Sequence, residues 1–225
     1  MTVMDTIRAR HSVRDYLNRP VEGEDFAALE GAVADAGVAG GLNVQLVRDN
    51  PEVFKLFLAR YGVIKGARTS IVFVARDGEQ DEAIGYWGER IVLIAQELGL
   101  NTCWQAMSAR KKSKAEVPEG EDVRIVIAVG YGKTRGKPRK TKPLEVLCTF
   151  EGTGPMPAWF ETAMEAAQLA PTGMNSQKFH ITLRADGRTV TAEAPEGGLN
   201  AINLGIVKRP FELAADETGA DWAWE

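Results

Sequence analysis

Residues 8–16 read Arg8-Ala9-Arg10-His11-Ser12-Val13-Arg14-Asp15-Tyr16, and the assignment of the whole chain turns on them. Three guanidinium groups, an imidazole and a hydroxyl stand close together, and a guanidinium fork suits a phosphate better than any other side chain. An anionic ligand is therefore the first expectation. Taken alone, the same stretch reads more readily as the solvated end of a short amphipathic helix, because local charge runs usually mark surface. The remainder of the chain decides between them.

The 225 residues carry a formal charge of −4, with 44% hydrophobic and 26% charged residues. That length suits one domain or two small ones with a sizeable core. A mildly acidic balance argues against a surface given over to nucleic acid or anionic membrane, so any basic patch is local. No apolar run approaches a membrane span and no secretory h-region opens the chain, so a cytoplasmic protein is expected. Cys103 and Cys148 read as free thiols, and with only two histidines no metal site is expected.

From residue 3 a short helix runs into the basic cluster, and Asn18-Arg19-Pro20-Val21 breaks it before a second helix over residues 23–36. Glycines at 37–41 are expected to stop that helix. Residues 43–47 alternate as a strand, 51–60 read as helix, and 69–75 are apolar and β-branched enough for an interior strand. Helical periodicity over 85–98 puts Trp87, Ile91, Ile94, Ala95 and Leu98 on one face, and Gly99 supplies a stop with positive φ. Residues 100–107 read as extended, 110–114 as a basic turn, and 123–130 as a strand buried on both faces. A loop follows, punctuated by Gly and Pro and carrying Lys133, Arg135, Lys137, Arg139, Lys140 and Lys142.

A boundary is expected near residues 151–157, giving two parts, 1–150 and 151–225. The second restarts with a helix over 158–169, a turn over 171–176, two strands (178–184 and 189–194) joined at Asp186-Gly187, and a helix over 200–215. This order echoes residues 23–98. About 75 residues with one hairpin make a thin core, so the expectation is one α+β fold built from two related halves.

Four motifs stand together: residues 10–16, Gly99-Leu100-Asn101-Thr102-Cys103-Trp104, Gly130-Tyr131-Gly132 with its basic loop, and Ala170-Pro171-Thr172-Gly173-Met174-Asn175-Ser176-Gln177. With Gly85-Tyr86-Trp87-Gly88-Glu89 opening the central helix, the chain resembles the FMN-dependent nitroreductase superfamily over nearly its whole length. It resembles in particular the branch whose single chain carries two nitroreductase-like halves around mixed and antiparallel sheets flanked by helices. Ordinary members are homodimers that take the arginine-serine cluster of each flavin site from one subunit and the proline-asparagine turn from the other. Here the first half has only the first of these and the second half only the other. The resemblance therefore implies an intramolecular pseudo-dimer with one complete FMN site, either monomeric or weakly self-associating.

Residue by residue, the resemblance implies that Arg10 binds the FMN phosphate with Ser12 nearby, that His11 orients the site, and that Arg14 faces the flavin pyrimidine edge. A cation there raises the potential of the cofactor, which is the usual lever of a protein on a flavin. Arg139, Lys140 and Lys142 are the candidates for closing over the phosphate. Asn175 matches the amide that contacts the flavin ring or ribityl chain, with Pro171 and Thr172 shaping the wall. Past Trp104 the family places a backbone N–H opposite flavin N5, usually from glycine; here Gln105, Ala106 and Met107 stand there, so the space is narrowed, and Asn101 replaces a common glycine.

The implied activity is transfer of a hydride from NADH or NADPH to the flavin, then reduction of a small acceptor such as a nitroaromatic or quinone. The flavin carries the chemistry, so no catalytic side chain is expected beyond the backbone of Ala106 and Met107. The absence of Gly-x-Gly-x-x-Gly after a strand excludes a separate dinucleotide domain. Two other readings stand beside that activity: the crowded 105–107 segment suggests a flavin-sequestering protein with little turnover, and the resemblance to a superfamily with other FMN reactions implies, as an alternative, an enzyme of different reaction, such as dehalogenation. Neither nucleic acid nor membrane is an expected partner.

Overall fold

The computed structural model describes residues 2–54, 63–76, 78–106 and 113–225. In chain order they form helices α1 (Val3–Ala9) and α2 (Gly23–Gly40), strands β1 (Asn43–Val47) and β2 (Thr69–Ala75), helix α3 (Asp81–Glu97), and strands β3 (Asn101–Gln105) and β4 (Asp122–Gly130). Then come α4 (Leu144–Leu147), β5 (Cys148–Phe150), α5 (Ala158–Gln168), β6 (His180–Leu183), β7 (Thr189–Glu193), α6 (Asn200–Glu217) and β8 (Ala223–Trp224). The fold is α+β, with two four-stranded sheets and helices around them, as the sequence implies. The chain divides into two compact units, one holding Ala9–Gln80 and Arg90–Pro138, the other Met1–Arg8, Asp81–Glu89 and Arg139–Glu225.

The first unit is built on an antiparallel sheet of order β1-β2-β4-β3. Every residue of β2 is buried, as is all of β4 after Asp122, which is why residues 71–75 and 125–129 read as unbroken apolar runs and not as alternating strands. Helix α2 packs beside β1 and buries Phe26, Leu29, Val33 and Ala36 at helical spacing. It does not stop at residue 36: it runs through Gly37 and closes only at Gly41, whose φ of 62° is left-handed. An interior glycine costs a helix about 1 kcal/mol, which a well-buried face offsets, whereas a left-handed residue ends it. Of the helix expected over 51–60, Pro51–Phe54 form a single 3₁₀ turn and residues 55–60 lie outside the described residues.

The second unit has a mixed sheet of order β5-β6-β7-β8, in which β6 and β7 form the expected hairpin and β5 and β8 add parallel edges. Against it α5 and α6 pack together, and the first part of α3 crosses α6. That crossing needs two glycines: a Cβ on Gly85 would collide with the Ile202 carbonyl, and one on Gly205 with the Glu82 carbonyl. Helix α3 starts a turn earlier than its apolar periodicity, at Asp81 and Glu82, because carboxylates favour the first turn of a helix. Its other end is as expected, with Gly99 at φ 75° and the Leu100 N–H returning to the Ala95 carbonyl at 2.9 Å.

Candidate functional site

In the antiparallel unit the basic segment leaves α1 and becomes an extended arm stitched down on three sides. The Val13 N–H donates to the Thr102 carbonyl at 3.0 Å, the Tyr16 N–H to Lys65 and the Lys65 N–H to Arg14, each at 2.8 Å, and the Leu17 N–H to Tyr131 at 2.8 Å. Along this arm Val13 and Tyr16 are buried, while Arg14 and Asp15 between them stay outside. Arg10 is buried, at 4% exposure, while His11 and Ser12 are half-buried. Burial also pushes the Tyr16 phenol well above its ordinary pKa, so it stays protonated.

The loop after β4 lies on this arm. Gly136, at φ 77°, approaches so closely that a Cβ there would press on the His11 Cβ and the Ser12 carbonyl. Asn101 accepts the Gly132 N–H through Oδ1 at 3.1 Å, and Lys133 pairs with Asp15 at 3.0 Å. Asn101 thus anchors the loop, a role that its sequence position alone does not disclose. On β3, Trp104 is half-buried and Gln105 is 8% exposed; neither atom of the Gln105 amide finds a hydrogen-bond partner among the described residues. Ala106 follows, half-buried, and Met107 lies outside the described residues.

In the mixed-sheet unit the basic loop and the proline-asparagine turn come together. Asn175 Nδ2 donates to the Lys140 carbonyl at 2.8 Å, and Gln177 Nε2 donates to the same oxygen at 3.1 Å. The Gln177 side chain accepts the Lys142 N–H at 2.9 Å, and Lys142 Nζ donates to the Gln177 carbonyl at 2.8 Å. Inside the turn, Thr172 Oγ1 accepts the Gln177 N–H at 3.0 Å and Asn203 Oδ1 the Gly173 N–H at 2.8 Å. Met174, Asn175 and Gln177 have φ of 56°, 55° and 45°. Left-handed backbone at a non-glycine residue costs on the order of 1 kcal/mol, and the side-chain clamps hold it in place. Pro171 and Thr172 are buried beneath, Arg139 is half-buried and Lys140 exposed. Asn175 Oδ1 is itself buried with no partner among the described residues.

The matching family model is described as "Putative TM nitroreductase" and spans residues 2–215. The chain belongs to this nitroreductase family. A protein described as a "putative nitroreductase" from Thermotoga maritima has the same fold at a TM-score of 0.65 and 23% identity, covering 97% of this chain and 85% of its own. A nitroreductase family protein from Streptococcus pneumoniae matches at 0.52 and 15%, covering 64% of this chain and 96% of its own. A "putative NADH dehydrogenase/NAD(P)H nitroreductase" from Parabacteroides distasonis matches at 0.50 and 24%, covering 64% and 94%. No curated protein matches the chain.

Within this nitroreductase the residues that the sequence singles out form two sets, each held by its own unit. Arg10, His11, Ser12, Arg14, Trp104, Gln105 and Ala106 belong to the antiparallel unit, whereas Arg139, Lys140, Lys142, Pro171, Thr172 and Asn175 belong to the mixed-sheet unit. The donor set suits FMN: guanidinium and ammonium groups for a phosphate, and amides, which both donate and accept, for a ring edge. Two amides with buried unpaired atoms, Gln105 and Asn175, fit a ligand with polar edges. Residues not singled out, Gln177 and Asn203, do most of the positioning, and only Gln177 carried a signal, as the last residue of its motif. Cys103 and Cys148 are both buried and neither forms a disulfide. Among the described residues no helix is long and apolar enough to cross a membrane, and no three His, Cys, Asp or Glu gather as a metal site.

Proposed function

We propose that this nitroreductase family member is an FMN-dependent NAD(P)H oxidoreductase that reduces a small acceptor of the nitroaromatic or quinone type. The observation that carries the reading is the pair of amides, Gln105 and Asn175, that stand at positions matching flavin contacts and keep buried polar atoms without a partner among the described residues. Native folds rarely bury such groups without a partner, and a ligand is a common reason when they do. When bound, FMN supplies the hydride and electron transfers, so no protein acid or base is demanded.

The residues of the chain bind and orient. Arg10 and Ser12 hold the phosphate from an arm whose backbone bonds fix their direction, and the exposed Arg14 brings its cation to the pyrimidine edge of the flavin. Arg139, Lys140 and Lys142 add positive charge from the loop that Asn175 and Gln177 clamp. Lys142 already spends one of its three donors on the Gln177 carbonyl. Asn175 presents Oδ1 because its Nδ2 is committed to Lys140. The backbone of Ala106 serves the reacting side of the ring. The partner is a small molecule, and the protein works in the cytoplasm as a single-chain pseudo-dimer, free or weakly self-associated, with one FMN per chain.

Fluorescence titration of FMN into the flavin-stripped full-length chain tests this. Arg10→Gln and Asn175→Leu are each expected to weaken binding about 10- to 100-fold, the usual loss for a hydrogen bond to a charged or buried group. A wild-type chain that takes up no FMN, or variants that bind as tightly as wild type, would overturn the proposal.

A further inference from the structure

Gln105 closes β3 opposite Val126. Alternation along the strand gives it the face of Cys103, which packs in an apolar cluster with Val13, Tyr16, Val126 and Ala128. A methionine or leucine would fill such a place with no loss of polar contacts. Glutamine instead buries a primary amide, and neither its nitrogen nor its oxygen is satisfied among the described residues. An amide in that position lowers the stability of the unliganded fold. Among the described residues, nothing in the packing of the antiparallel unit makes use of its polarity.

We infer that the side-chain amide of Gln105 is a ligand-reading group, kept unsatisfied by the fold so that it pairs with an adjacent N–H and C=O on a bound molecule. A primary amide donates and accepts side by side, so a lactam, imide or carboxamide edge is the complementary chemistry. This inference rests on the flavin reading above, under which two molecules present such an edge: the pyrimidine portion of FMN and the carboxamide of the nicotinamide. The expected signature is a trade, in which removing the amide stabilises the empty protein and weakens the ligand. A merely structural glutamine gives the opposite first sign.

The test uses the full-length chain and its Gln105→Met and Gln105→Leu variants. Thermal unfolding is followed on the flavin-stripped proteins. FMN is then titrated into these, and a non-reducing tetrahydro analogue of NADH into the FMN-saturated ones. Both variants are expected to melt about 2–4 °C above wild type. Both are also expected to lose roughly ten-fold in affinity in one titration, FMN if the flavin edge is read and the analogue if the carboxamide is. Variants that melt at or below wild type, or that keep both affinities, overturn the inference while wild-type FMN binding leaves the proposed function standing. A wild-type chain that binds no FMN overturns both.

Discussion

Gln177 shows how much one residue can organise. Its side chain accepts from the Lys142 N–H and donates to the Lys140 carbonyl, so the turn that presents Asn175 and the loop that presents the basic groups share one register. Gln177→Leu leaves the Lys142 N–H unanswered and takes one of two donors from the Lys140 carbonyl, beside a side chain only 3% exposed. We expect a loss of about 1–3 kcal/mol in urea unfolding, with weaker FMN binding as Asn175 loosens. Gln177→Glu keeps the acceptor and loses the donor, so it should fall between. Asp186 acts in the same unit by charge. Its carboxylate accepts the Arg188 and Thr189 N–H groups at 2.9 Å each and the Thr189 hydroxyl at 2.6 Å, and these bonds lower its pKa from 3.8 to about 2. Its stabilisation of the β6–β7 hairpin is complete above pH 3.8 and is lost as the pH falls through about 2. Side-chain NMR titration should place the Asp186 midpoint near 2, and Asp186→Asn should remove that acid dependence. Asp186-Gly187 was legible as a turn, since Asp bonds its own backbone two residues on. The duties of Asn101 and Gln177 were not, because amide clamps join residues some 30 positions apart and leave no periodic trace.

At the scale of elements, the sequence discloses what is long and periodic. Helices α2, α3, α5 and α6 and strands β1, β2, β4, β6 and β7 follow from apolar spacing, whereas α4, β5 and β8 are too short to show a period. Strand β8 exists because Trp222 and Trp224 join Phe211 and Trp159 in an aromatic cluster with centroids 5.1–6.2 Å apart, a tertiary cause with no local pattern. The glycines of the central helix were visible as a motif, and their reason emerges only with α6 in place. Gly205→Ala should therefore destabilise the chain by about 1–3 kcal/mol, measured by urea unfolding, because two helix backbones have to separate. Beside that crossing Tyr86 lies between Glu212 and Arg209, and burial with the Glu212 hydrogen bond raises its pKa to about 12. The protonated phenol is the form that the fold favours, so this contact contributes fully below pH 10.0 and is lost as the pH rises through about 12.

For the whole molecule, composition and the four motifs were enough to reach the family and its α+β class. They could not show that the antiparallel and mixed-sheet units each hold, by internal contacts, their own set of the residues that the sequence singles out. The decisive measurement is the visible spectrum of the purified protein, with flavin quantified per chain, followed during anaerobic addition of NADH and then NADPH. A flavoprotein with about one FMN per chain whose oxidised bands bleach with one of the two donors is the predicted result. Bands that persist with both donors would contradict a reductase and leave a flavin-sequestering protein; no flavin bands after FMN is supplied would contradict the site itself.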